Sequence, residues 1–261
     1  MLSKLLKRDL KKNMRWLWIL FVGTIGLAAV TRGVKELGES VAFFKMIAIF
    51  LEGVFYGLAV NLILQPFLRS FLNFQKSFYS DESYLTHTLP VTKSQLINSK
   101  YLTALIEIVA GFASLIVSIL ILYAAPGFLN TLKFMLSMII TGDFSAVLVV
   151  LFIVILIIVE FLMFISIIYF AIIKGYKSRE KKVLKSFLIT AGCAFAAIIV
   201  LVVALIVVLI INGIKLTTTS LVLSVSAFYS VIITAIVLYS AVSVLFYFLA
   251  KREFNKGVNV D

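Results

Sequence analysis

Three carboxylates stand inside long apolar runs of this 261-residue chain: Glu52, Glu107 and Glu160. A charged residue at the middle of a membrane helix costs roughly 2.5–3.5 kcal/mol on insertion scales, so such groups face a cavity or a partner. Glu52 and Glu160 fall near the centres of their runs. They are candidates for a substrate path or a gate, or for protonated carboxyls bonded between helices. Glu107 lies near the end of its run and is expected to reach headgroup water. Other chemistry is sparse. His87 and Cys193 each occur once, which provides neither a zinc cluster nor an intramolecular disulfide. No Gly-Lys pair occurs, so the phosphate-cradling loop G-x-x-x-x-G-K-[ST] cannot be built. The chain is therefore expected to hold no ATP, metal or other cofactor, and to carry no catalytic residue. No H-E-x-x-H protease signature is present either.

The elements that position these acids follow from composition. Hydrophobic residues make up 62% and charged residues 14%, with a mean hydropathy of +1.14. Soluble domains are about 45–50% apolar and about 25% charged, so the surplus apolar surface must face lipid. Runs at 15–31, 41–64, 102–124, 145–173, 186–211 and 219–250 match the roughly 20 residues that cross a bilayer. None shows the alternation of a membrane barrel strand. The fold class expected is all-α, a single transmembrane domain of six helices. The charged start, Met1 to Arg15, does not fit a cleaved signal peptide.

Orientation follows from charge. Arg32, Lys35, Lys45, Lys133 and Lys215 fall on one side of the six spans, and the other 19 of 24 Lys and Arg residues on the opposite side. The positive-inside rule puts both termini, and the segments 65–101 and 174–185, in the cytoplasm. The same distribution accounts for the net charge of +12 without a nucleic-acid partner. It also favours anionic membrane lipid.

Local patterns add detail. In residues 1–14, Leu2, Leu5, Leu6 and Leu10 share one helical face, with Lys4, Lys7, Arg8, Lys11 and Lys12 around it. That spacing makes either an amphipathic helix lying on the membrane surface or a charged anchor that fixes topology. Gly53 and Gly57, and Gly192 with Ala196, form small-x-x-x-small pairs. Such pairs permit close helix contact, within the bundle or between two chains. Segment 126–144 is too apolar for a loop and too short to cross, which suits an interfacial or partly re-entrant helix on the outer face. No internal repeat supports an inverted-repeat transporter. In the connection 78–98, the polar run Ser80, Asp81, Glu82 and Ser83 opens a short helix that Pro90 stops. Thr92 and Gln95 then form a capping box for the next helix.

The run SDESYLTHTLPVTKSQLINSK, between the second and third of six spans, resembles the type-2 permeases of ATP-binding cassette (ABC) transporters, especially those of low-GC Gram-positive bacteria. The matching residues are Glu82, Tyr84, Leu85, Thr88, Leu89, Pro90, Val91, Thr92 and Lys100. The resemblance implies a permease in a bacterial plasma membrane, exporting a substrate with energy from a separate ATPase. It implies that Asp81, Glu82, Tyr84, Leu85, Thr88, Leu89 and Pro90 form a coupling helix seated on that ATPase. It further implies an N-terminal elbow helix over 1–14, two ATPase copies carrying ATP and magnesium, and a second permease, identical or homologous. Asn212–Thr218 departs from the pattern, because many exporters of this class have a larger extracellular structure there. Two other readings compete. One is a secondary transporter exchanging protons through Glu52 and Glu160, and the other a membrane sensor or assembly factor that transports nothing.

Overall fold

The computed structural model describes residues 2–38, 40–80, 83, 88, 90–123, 145–178, 180–213 and 225–257, with backbone alone at 145–147 and 225–226. Six helices account for nearly all of them: α1 Leu2–Gly38, α2 Ala42–Tyr79, α3 Lys93–Tyr123, α4 Ser145–Gly175, α5 Lys182–Ile211 and α6 Val225–Asn255. Each is long and apolar enough to cross a membrane, and no strand occurs among the described residues. Helices suit these runs because lipid offers no partner to a backbone amide, so every bond must close within the segment. The outward faces agree, since Met46, Phe50 and Ile211 are more than 70% exposed. Water would penalise such surfaces; a bilayer covers them. The protein is a multi-pass, all-α membrane protein.

Six hydroxyl residues inside the helices are satisfied locally. Thr24, Thr31, Thr103, Ser118, Ser166 and Thr234 each donate to the carbonyl four residues back.

Helix ends differ from expectation in a consistent way. Residues 2–14 are not a separate surface helix; α1 runs through them unbroken for 37 residues, about 55 Å. No glycine or proline precedes Gly23, so nothing interrupts the backbone hydrogen bonds where an elbow would bend. Helix α2 likewise passes through Pro66 and ends at Tyr79, about 22 Å past Leu64. Helix α3 starts nine residues ahead of its apolar run, at Lys93 rather than 102. Most of the span 65–101 is therefore helix. Segment 126–144 and residues 219–224 lie outside the described residues.

The chain divides into two compact units, residues 1–70 with 98–147, and 71–97 with 148–261. In the first, Leu17, Phe21 and Leu62 are buried together, and Ala28, Phe55 and Leu122 form a second cluster. Pro66 has no N–H, so the Leu62 carbonyl loses its helical donor. Gly111 of α3 packs on that carbonyl, where an added Cβ would lie 3.1 Å from the oxygen. The bare glycine lets the broken turn be covered. In the second unit the last three turns of α4 are almost wholly buried, Met163 through Ile173. Ser166 of α4 meets Ser243 of α6 at 3.1 Å.

Candidate functional site

Two arrangements stand out, one in each unit. In the second unit, the final turns of α2 are held by aromatic side chains. Phe74 stacks on Tyr169 with centroids 4.0 Å apart, and Phe78 meets Phe254 edge-on at 4.9 Å. Tyr79 lies 4.3 Å from the ring of Tyr176, whose hydroxyl accepts a hydrogen bond from Gln75 Nε2 at 2.7 Å. Each ring pair contributes about 0.5–1.5 kcal/mol beyond area burial. Lys177 Nζ donates to the Glu253 carboxylate at 2.7 Å and to its carbonyl at 3.0 Å, closing the α4 end onto α6. Helix α2 thus reaches Ser80 as a braced rod.

The far side of the connection is fixed as well. The Thr92 hydroxyl accepts from the Gln95 amide at 3.3 Å, and the Gln95 side chain accepts from the Thr92 amide at 3.4 Å. This is the capping box that the T-x-x-Q spacing predicts. Between the two fixed points, Ser83 and Thr88 are helical, Ser83 buried and Thr88 exposed, and Pro90 is exposed in a bend. Asp81, Glu82, Tyr84, Leu85 and Leu89 lie outside the described residues.

In the first unit, polar side chains are sealed between α1 and α3. Lys100 Nζ lies 3.0 Å from Asp9 Oδ2, with the two side chains only 9% and 7% exposed. One turn further along, Asn13 Nδ2 donates to Glu107 Oε1 at 2.7 Å. Glu107 is completely buried, and no partner meets its second oxygen among the described residues. The expectation that Glu107 reaches headgroup water is overturned: α3 turns it toward α1, where Asn13 receives it. Lys100, the lysine that follows the motif, is bound to Asp9 of the N-terminal helix.

The remaining sequence candidates separate. Glu52 is not an isolated mid-membrane acid, because Lys35 Nζ reaches its carboxylate at 2.5 Å and also lies over the Tyr123 ring. Glu160 is half-buried on α4, with no hydrogen bond or ion pair among the described residues. Gly53, Gly57 and Gly192 have no atom within 4 Å of an added Cβ, and Ala196 is exposed. Neither glycine motif meets a helix of its own unit among the described residues. Among the described residues, no group of three His, Cys, Asp or Glu side chains could hold a metal.

No protein-family model, curated protein or solved structure matches the chain. The resemblance to ABC permeases therefore stands on residues 81–100 and the six-helix architecture alone.

Sequence reasoning missed the Asp9–Lys100 and Asn13–Glu107 contacts, although half the signal was present. Leu5, Asp9, Asn13 and Leu17 recur every fourth residue, and all four are buried. An acid and an amide on the stripe that carries two core leucines mark polar groups facing a partner helix.

Proposed function

We propose that this chain is the membrane-spanning permease subunit of an ATP-driven ABC exporter, with both termini and the 80–92 connection in the cytoplasm. A separate ATPase, in two copies, supplies ATP hydrolysis, and a second permease completes the substrate pathway. One observation carries the reading: the segment with the family-like sequence is suspended between two braced helices, α2 by its aromatic contacts and α3 by its capping box. A short helix transmits movement only if its supports do not yield, and both supports here are fixed. The exposure of Thr88 and Pro90 leaves this tip open to a docking partner. Glu52, the first carboxylate of the proton-exchange reading, is ion-paired with Lys35.

The test is directed at the tip. Burying a leucine is worth about 1.5–3 kcal/mol, and an aspartate there would lose that and add an unpaired charge. Leu85→Asp and Leu89→Asp are therefore expected to abolish transport and to weaken co-purification of the proposed ATPase subunit, with membrane insertion intact. Undiminished capture and full transport in both variants would remove the coupling assignment.

Sidedness has its own check. In a Cys193→Ser background, a cysteine at exposed Thr88 is expected to react only from the cytoplasm, and one at exposed Ser40 only from outside. Reaction of the Thr88 variant from outside would invert the topology. Ser83, being 2% exposed, is unsuitable as a probe.

A further inference from the structure

The first half of α1 presents a face that the transport reading leaves unused. Arg8, Lys11, Lys12 and Arg15 are exposed, and with Trp16 and Trp18 they line a groove of about 700 Å³. Positions 8, 11, 12 and 15 follow the three-and-four spacing of one helical face, so the four cations stack over two turns. The acid beside them is shared: Asp9 is buried with Oδ2 against Lys100 and Oδ1 3.5 Å from Arg8 Nη2, so it compensates Arg8 and leaves Lys11 and Arg15. Along the axis the same face changes character abruptly. After Arg15 it continues as Trp18, Ile19 and Val22, which are 58%, 63% and 66% exposed. Trp16 is braced by the Arg69 guanidinium, 5.7 Å from its ring, which adds a further positive charge.

A polar anion alone would use the cations and leave the aromatic and aliphatic strip bare. A neutral lipid would cover the strip and leave Lys11 and Arg15 uncompensated. A ligand with an anionic head and apolar tails satisfies both. The depth is right too. A helix of about 55 Å exceeds a hydrocarbon core of roughly 30 Å, and tryptophans mark the level where acyl chains meet headgroups. We propose that this face of α1 is a binding site for an anionic phospholipid. Its phosphate lies between Lys11 and Arg15, with Arg8 and Lys12 alongside, and its acyl chains run along Trp18, Ile19 and Val22. The proposal does not depend on what the protein transports.

The chain contains two tryptophans, and both line this groove, so intrinsic fluorescence reports the site without a label. The full-length protein is reconstituted in nanodiscs with phosphatidylglycerol or phosphatidylcholine, each brominated on otherwise identical chains. At equal mole fraction, brominated phosphatidylglycerol is expected to quench more strongly, and the preference to shrink as salt is raised. Each cation removed is expected to lower the relative affinity about fivefold, so Lys11→Gln/Arg15→Gln loses roughly 30-fold. If that double variant does not fold, Lys11→Gln alone and the salt series on the wild type read the same property. Equal quenching by the two lipids, or a preference indifferent to salt and to the substitutions, overturns the site. Displacement of the quenching lipid by millimolar glycerol phosphate also overturns it, by assigning the cations to a soluble phosphate.

Discussion

Replacing Lys100 by methionine is expected to cost more stability than any other single exchange at the α1–α3 contact. The ammonium sits 3.0 Å from Asp9 Oδ2 in a contact that excludes solvent from both side chains. Methionine keeps most of the stem's volume but removes the shorter of the carboxylate's two charged contacts, Lys100 at 3.0 Å against Arg8 at 3.5 Å. Breaking a buried pair from one side costs about 3–5 kcal/mol where the remaining charge has no compensation; Arg8 Nη2, 3.5 Å from Asp9 Oδ1, offsets part of that, so the lower end is expected. Removing both charges with Asp9→Leu/Lys100→Met takes that penalty away. The double variant is expected to match the wild type or to exceed it by about 1–4 kcal/mol. Thermal unfolding in detergent of the wild type, both single variants and the double variant closes the cycle. A single Lys100→Met variant as stable as the wild type would mean that Arg8 or water compensates Asp9 in full, and would remove the buried-pair assignment. Asn13→Ala provides a smaller reference: it leaves the buried Glu107 carboxyl without its donor, worth about 1–3 kcal/mol.

That contact also shows what sequence patterns can and cannot reach. The six helices are legible because run length and composition decide them against every competing element. The Thr92–Gln95 box is legible because both partners lie three residues apart in the chain. Helix ends outside the bilayer are less so. The final turns of α2 carry a polar, aromatic sequence, and Pro66 reads as a breaker until Gly111, far along the chain, is seen covering the freed Leu62 carbonyl. The carboxylates follow the same logic. Hydropathy places Glu52 and Glu107 in spans, but their partners Lys35 and Asn13 come from another helix, 17 and 94 residues away. Periodicity gives the face of a side chain and leaves its neighbour open. The small-residue pairs are the converse case: Gly53, Gly57 and Gly192 satisfy a packing pattern, yet face outward with open space around them.

Gly175 is the glycine whose substitution is expected to do most damage, although no motif marks it. It ends α4, where the chain turns back into α5 through a connection that includes Lys181 at φ 50°. A Cβ built there would lie 2.1 Å from Ser186 Oγ, 2.7 Å from the Ser186 amide nitrogen and 2.8 Å from its Cα. A rotamer change could move the hydroxyl, at the expense of its hydrogen bond to the Lys182 carbonyl. Backbone atoms have no such freedom, so the start of α5 must shift as a whole. Ile172 and Ile173 are buried on the turn before, which leaves little room on the α4 side. Overpacking of a filled interior costs about 1–3 kcal/mol, and Gly175→Ala is expected at the upper end of that range. Two comparisons isolate the cause. Gly175→Ala/Ser186→Ala removes the hydroxyl but not the backbone, so only partial recovery is expected. Gly192→Ala adds the same methyl where nothing lies within 4 Å, and should stabilise α5 by up to about 1 kcal/mol through helix propensity. Melting temperatures of the three variants in one detergent give the order directly. Gly175→Ala as stable as Gly192→Ala would mean that α4 and α5 do not approach each other at this turn.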